Sequence, residues 1–355
     1  MIMSVFAVIM AGGKGERFWP ESRENRPKQM LRLFSDDTMV ELTVERLTPM
    51  IPPENIFILT NLNYVEGFRK LLPQIPVENI IGEPARRNTA PCIALAAGLV
   101  AGKDPDATMI VLPSDSMIRN AHAYRQDLML AVENAKDGIC TIGIQPASPS
   151  PNFGYIEAED SGKTAAVKRF VEKPTVEKAK EMLKQKNYYW NSGIFIWKAS
   201  TILSELKKHV PALADFAETI AGKHYDGDFI KFLEEKFPQL PKISIDYAVM
   251  EKAANIQVVQ SSFDWDDVGN WCALRNQIEA DPSGNVVRGN VRLLDCGNNI
   301  VFCNDKDHLI AAIDMQNTVI VHSENVTFVC PESSTGKIKE LLNGIDQPDQ
   351  IKRYL

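Results

Sequence analysis

Between residues 5 and 146 the chain repeatedly exchanges a short apolar run for a longer amphipathic segment, and this alternation restricts its fold more than any other feature. The runs VFAVIMA, NIFILTN, VENIIGEP, ATMIVLPSD and GICTIGIQ have strand length and contain many Val and Ile residues. The segments between them have helical spacing: residues 38–50, residues 64–72, TAPCIALAAGLVAG and YRQDLMLAVENAK. Strands that alternate with helices predict a mostly parallel sheet covered on both faces, with ligands held at the carboxyl ends of its strands. Among these segments CIALAAGLVAG is apolar all round, which predicts a buried helix.

After Pro146 the pattern changes. FGYIEAED and AAVKRFVEKP read as paired strands and a helix is expected from about Thr175. YWNSGIFIWKAS and IQVVQSSFDWDDVGNW are further extended segments, so the middle of the chain is expected to form an α+β lid against the first sheet. Within it Trp190, Phe195 and Trp197 alternate as core residues of a strand would. From residue 285 the chain turns nearly all β, through VVRGNVRLLD, NNIVFCN, LIAAID and TVIVHSENVTFVC, which suggests a separate small unit of coiled rungs. The expected division is therefore residues 1–284 and residues 285–355, with a helix in SSTGKIKELLN near the end.

Charge and cysteine usage exclude several classes. A net charge of -7 and the lack of any long Lys/Arg block leave no basic surplus to neutralise a nucleic-acid backbone. The longest weakly polar stretch, CIALAAGLVAG, falls well short of the roughly 18 residues of a membrane span. The six cysteines include no C-x-x-C pair, and the five histidines lack metal-ligand spacing, which argues against zinc and a disulfide framework. The N-terminus MIMSVFAVIMAGG has no basic leader or cleavage site, so the expected compartment is the cytoplasm.

The first apolar run leads into MAGGKGERFWPESRENRPKQM, which contains Gly12, Gly13 and Gly15 and five basic residues. At a strand's carboxyl end, bare backbone can aim N–H groups at phosphate oxygens. A dinucleotide fingerprint would require glycine where Phe18 stands, and a Walker loop would require Ser or Thr after Lys14, where Gly15 stands. What remains is a glycine loop followed by Arg17, with its forked donors, and Lys28, a compact charge; both suit a triphosphate. On these residues alone, a tight turn in a solvated basic loop is the competing reading.

MAGGKGERFWPESRENRPKQ resembles the signature of the sugar-nucleotide pyrophosphorylases, and GERFWP and PKQ resemble its mannose-1-phosphate guanylyltransferase branch. Seven further segments resemble that family in the same order: EPARRNTAP (83–91), LPSD (112–115), FGYIE (153–157), FVEKP (170–174), WNSGIFIW (190–197), SIDYAVMEK (244–252) and WDDVGNW (265–271). The resemblance covers about the first 280 residues. It implies a Rossmann-like α/β fold of the nucleotidyltransferase, type A glycosyltransferase-like kind, with a mixed, mainly parallel sheet flanked by helices and a small C-terminal β-rich domain. It also implies a reaction in which GTP and α-D-mannose 1-phosphate give GDP-mannose and pyrophosphate, with Mg²⁺ as cofactor and a homodimer as assembly.

The resemblance makes Asp115 and Asp267 the Mg²⁺ ligands, places Lys173 on the sugar phosphate and gives Gly154, Glu172 and Asn191 to the sugar. Read by chemistry, Asp115 is equally a cap and Asp267 a turn residue, and Asp266 is an adjacent acid that mimics a ligand. Glu83 suits base choice, because guanine offers two adjacent donors that one carboxylate accepts whereas adenine offers an acceptor. A salt bridge from Glu83 to Arg86 or Arg87 is the competing reading. Asn88 and Thr89 are positioned to cap the following helix and line the nucleotide pocket. One departure from the family is Ser116, where His often follows the metal-binding Asp, and it leaves the sugar and the nucleotide open. A catalytically silent sugar-nucleotide sensor is the reading from another class.

Overall fold

The computed structural model of the protein describes residues 4–223, 227–344 and 354. Two compact units emerge, and the chain passes between them more than once. The first comprises Met1–Gly12, Val44–Ser114 and Ile118–Trp265; the second comprises Gly13–Thr43, Asp115–Met117 and Asp266–Leu355. The expected boundary at 284/285 therefore does not separate the compact units. The glycine-loop segment and Asp115 group with the C-terminal rungs, because their apolar residues share one core with them.

The first unit is built on one nine-stranded sheet. Its strands are β1 (Val5–Ala11), β2 (Ile56–Asn61), β3 (Ile80–Glu83), β4 (Thr108–Pro113), β5 (Ile139–Ile144), β6 (Tyr155–Ala158), β7 (Thr164–Val171), β8 (Tyr188–Lys198) and β9 (Ile256–Gln260), in the order β3-β2-β1-β4-β8-β5-β9-β7-β6. Strands β1 to β4 pair in parallel, as do β5 and β9, whereas β8 runs antiparallel to β4, β5 and β6. The segments expected to form a lid are thus strands of the same sheet. A period-two pattern shows that a segment is a strand but not which neighbour completes its hydrogen bonds. Trp190, Phe195 and Trp197 are buried, as expected of core residues.

Both faces of the central strands are covered, which explains their unbroken apolar runs; Ala7, Val8 and Ile9 are wholly buried. The Thr89–Lys103 helix is buried on nearly all sides, and small residues such as Ala94, Ala97 and Gly98 let the Pro211–Ala221 helix pack close against it. Parallel registers pair Ala11 with Thr60, Asn61 with Glu83 and Met10 with Pro113, so the carboxyl ends of β1, β3 and β4 are staggered by only a few residues.

The second unit contains β10 (Val286–Arg288), β11 (Val291–Leu294), β12 (Ile300–Cys303), β13 (Ile310–Ile313), β14 (Thr318–Ser323) and β15 (Val326–Pro331). β10, β12 and β14 pair in parallel and β15 closes their sheet antiparallel; β11 and β13 form a second parallel pair. These are the coiled rungs expected from the sequence. Their corners use Asp295, Asn298, Asp314 and Asn317 at φ of 53, 53, 56 and 50°, a conformation that Asx side chains tolerate.

Two buried asparagines tie successive rungs together. Asn299 donates to Asn285 Oδ1 at 2.9 Å and to the Met315 carbonyl at 2.8 Å, and accepts from the Thr318 N–H at 3.0 Å. Replacing it by alanine would leave backbone groups buried without partners. Asn299→Ala is therefore expected to cost on the order of 2–4 kcal/mol, measured as a lower urea midpoint with an unchanged slope.

Candidate active site

The glycine stretch folds as it does because of Phe18. The residue that breaks the dinucleotide fingerprint is buried and stacks edge-on against Trp271 at 5.2 Å, in a core with Leu31, Val268 and Phe302. Gly15 turns the chain at φ 70°, and a Cβ there would lie 2.4 Å from the Cβ of Lys28. Glycine is required at that position on both counts. The Gly15 carbonyl accepts from the Phe18 N–H at 2.8 Å and from Ser22 Oγ at 2.7 Å.

The basic residues of this stretch divide by role. Arg23 donates to the carbonyls of Pro20 and Ser323 and to Asn325 Oδ1, and Arg26 donates to Glu21 O and Ser323 Oγ. Both clamp the loop to the turn between β14 and β15. Arg17 is exposed and forms no ion pair among the described residues; a Cβ on Gly269 would lie 3.6 Å from its Nη1. Lys28 is buried, with its Nζ 3.2 Å from Asp115 Oδ2, 2.8 Å from the Asp267 carbonyl and 5.7 Å from the centre of the Phe18 ring.

Asp115 and Asp267, far apart in sequence, thus meet at one ammonium. Burial raises the Asp267 pKa; Lys28 and Arg17 pull it down while Asp266 and Asp115 push it up. Asp266 has a different task, accepting from the Val268 N–H at 2.7 Å, Asn276 Nδ2 at 2.8 Å and Gln277 Nε2 at 3.1 Å. Those bonds help hold Val268, a buried β-branched residue, at φ 48°, a strained conformation beside Asp267. Ser116 is buried in the same unit.

The first unit holds the other candidates. Glu83 ends β3 and is 9% exposed; its Oε1 has no hydrogen-bond partner among the described residues, and Oε2 lies 3.5 Å from where a Cβ on Gly12 would stand. Burial pushes its pKa up to about 7, against a hydrogen bond from the Cys92 thiol. The competing salt bridge to Arg86 or Arg87 is not formed. Asn88, at φ 68°, caps the Thr89–Lys103 helix by accepting from the Thr89 N–H at 2.9 Å. Thr89 itself begins the helix, and its hydroxyl accepts from the Ile245 N–H at 2.8 Å, a tie between segments.

Gly154, Glu172, Lys173 and Asn191 do come together. Asn191 N donates to the Gly154 carbonyl at 2.8 Å, and a Cβ on Gly154 would lie 2.5 Å from Glu172 Oε2, so a side chain there would displace that carboxylate. Glu172 pairs with the Lys173 ammonium at 3.0 Å, and Lys173 is mostly exposed at φ 44°. Asn191 lies within β8, opposite an irregularity in β5 between Thr141 and Gly143. Its Oδ1 accepts from the Gly193 N–H at 3.1 Å and its Nδ2 donates to Asp246 Oδ1 at 2.9 Å. Sequence reasoning missed Asp246, although it lies inside SIDYAVMEK; the available signal was a single acid in an otherwise apolar run.

A family model described as nucleotidyl transferase matches residues 6–283. The chain belongs to the nucleotidyl transferase family. All of the site residues from Gly12 to Asp267 lie within the matched span. Among its relatives, a mannose-1-phosphate guanylyltransferase from Sinorhizobium fredii (strain NBRC 101917 / NGR234) is 39% identical over 340 residues, covering 93% of this chain and 65% of the relative. Another of that name from Klebsiella pneumoniae is 38% identical over 359 residues, covering 98% of this chain and 75% of the relative. The chain thus spans about two thirds to three quarters of those proteins. A crystal structure of a mannose-1-phosphate geranyltransferase from Thermus thermophilus superposes with a TM-score of 0.88 at 33% identity, over 97% of this chain and 100% of that one. The nucleotidyltransferase fold with C-terminal β strands is shared with such structures.

Glu83 gives this site a pH signature. The folded carboxyl holds its proton more tightly than an unfolded one, so the folded state carries excess protons from about pH 4.5 to about 7, and stability is lost as pH rises through that window. The full penalty is on the order of 3 kcal/mol. Glu83→Gln is expected to gain stability over the wild type between pH 5 and pH 8, read from paired urea titrations; parallel curves would contradict the assignment.

Proposed function

We propose that this chain transfers GMP from GTP to α-D-mannose 1-phosphate, releasing pyrophosphate and forming GDP-mannose. The observation that carries the reading is Glu83, a buried carboxylate with an unpartnered oxygen beside the glycine at the end of β1. Guanine N1–H and N2–H suit that carboxylate, whereas adenine N1 would face it with a lone pair.

The sugar phosphate is already an anionic nucleophile. One of its oxygens attacks the α-phosphorus in line, the α–β bridging bond breaks and its electrons leave on pyrophosphate. No covalent enzyme intermediate is required, so the protein's task is to bring anions together and stabilise added charge. Gly12, Gly13 and Gly15 offer backbone to the triphosphate, and Arg17 and Lys28 neutralise the departing pyrophosphate. Lys173 offsets charge on the attacking phosphate, and Gly154, Glu172 and Asn191 receive the sugar.

Asp115 and Asp267 would hold Mg²⁺. The donor set fits: two carboxylates are enough for an ion that completes its shell with phosphate oxygens and water. Among the described residues no larger cluster of His, Cys, Asp or Glu is present. When bound, Mg²⁺ supplies charge neutralisation to the triphosphate. The remaining attributes follow the family resemblance and composition. Unpaired cysteines suit a reducing cytoplasm, and a homodimer is the assembly proposed. Among the described residues no helix is long and apolar enough to cross a membrane.

The test is pyrophosphate release with Mg²⁺, comparing GTP, ATP and UTP against mannose and glucose 1-phosphates. Release confined to GTP and mannose 1-phosphate is expected. Release with another pair moves the substrate, and none with any pair returns the sensor reading. GTP should bind more tightly as pH rises from 6 to 8, since its donors select ionised Glu83; in Glu83→Gln that trend and the preference over ATP should disappear. Asp267→Asn should lower kcat/KM by about two to three orders of magnitude while the thermal midpoint holds or rises.

A further inference from the structure

We propose that Asp246 is a specificity-determining residue that grips the sugar of the acceptor phosphate together with Glu172, choosing among epimers at adjacent hydroxyls. The inference deepens the reading above and rests on it.

The first argument concerns what the Asn191 amide has left to offer. Its oxygen is engaged by the Gly193 N–H at 3.1 Å, which also fixes which end of the amide is nitrogen. One of its two N–H groups is spent on Asp246 Oδ1 at 2.9 Å. Asn191 therefore keeps one N–H and one lone pair of Oδ1 for a sugar, so a second hydroxyl proton has to be accepted elsewhere. The carboxylates of Glu172 and Asp246 are the acceptors grouped with it, and each presents about four lone-pair directions, of which few are used.

The second argument is that the acid is held in place from both sides. Asp246 opens the π-helical turn Asp246–Met250, whose Ala248, Val249 and Met250 are buried. Just before it, the Ile245 N–H is bonded to Thr89 Oγ1 at 2.8 Å and the Ile243 carbonyl accepts from the Ala90 N–H at 3.1 Å. π turns are rare and occur often at functional sites. A backbone tied at two points can hold a carboxyl to the tolerance that epimer selection demands.

Electrostatics supports a shared task. Burial raises Asp246 to about pKa 6, with Glu172 adding to the rise and Asn191 and Lys173 opposing it. Asp246 therefore keeps its proton to a higher pH than an ordinary carboxyl, so it can meet a vicinal diol as donor as well as acceptor. Lys173 at 3.0 Å from Glu172 keeps the pair compatible with an anionic substrate.

The experiment is steady-state kinetics of the full chain for Asp246→Ala and Asp246→Asn with GTP and both sugar 1-phosphates, alongside thermal midpoints. In the alanine variant KM for mannose 1-phosphate should rise about tenfold or more, and selectivity over glucose 1-phosphate should fall about as far. KM for GTP should stay within about twofold. The asparagine variant, which keeps the shape, should fall between. Retained selectivity, or equal rises in KM for both substrates, would overturn the inference while leaving the proposed function intact. Wild-type turnover of another sugar phosphate would overturn the mannose assignment alone, with the variants then read on that sugar. Inactivity of the wild type with every pair would overturn both.

Discussion

A buried ammonium without acceptors is untenable, and the second unit is arranged around meeting that demand for Lys28. Its partners come from segments far apart in the chain: the Asp115 carboxylate and the Asp267 carbonyl, with the Phe18 ring beneath. Satisfying one lysine therefore registers the glycine loop, the residue just past β4 and the loop before Trp271 against one another. The arrangement also concentrates carboxylates at a point where Asp267 is already reluctant to ionise. Such a group gains from any cation that relieves it.

The loop shows how charge in a sequence can mislead about purpose. Five basic residues in a row of twenty-one suggest a single electrostatic funnel, yet Arg23 and Arg26 spend their guanidinium donors on carbonyls and hydroxyls of the 323–325 turn. They act as braces. Lys14 lies 3.8 Å from Glu16, which leaves Arg17 and Lys28 as the candidates for phosphate, Lys28 resting over the Phe18 ring. Strain is distributed similarly. The positive-φ residues Asp295, Asn298, Asp314 and Asn317 mark coil corners where Asx side chains are at ease, whereas Asn88, Lys173 and Val268 stand next to candidate functional groups.

Much of this was legible in the sequence for identifiable reasons. The runs at β1 and β4 read plainly because both faces are buried, which leaves no polar residue to blur them. Asp115 and Asp267 could be singled out by the motifs around them, whereas the bonds of Asp266 to Val268, Asn276 and Gln277 could not be read from sequence. The sheet membership of β6 to β9 was not legible, since antiparallel partners are selected by long-range register, not by local period. Nor was Asp246, because an acid opening a short apolar helical segment looks like an ordinary first-turn residue. The fate of the Asn191 amide also lay outside reach, being settled by a bond to Gly193 two residues on and another to a residue fifty-five away.

The interleaving of the second unit bears on synthesis. Its segments are Gly13–Thr43, Asp115–Met117 and the chain from Asp266 onward, so the early pieces leave the ribosome long before the last. The sheet strands β1 to β9 are all translated before Asp266, whereas Lys28 and Asp115 must wait for the Asp267 carbonyl and for Trp271 to close over Phe18. Contacts of such long sequence separation form late and slowly. The nascent polypeptide therefore has its sheet scaffold in hand well before the cluster of Lys28, Asp115 and Asp267 can close.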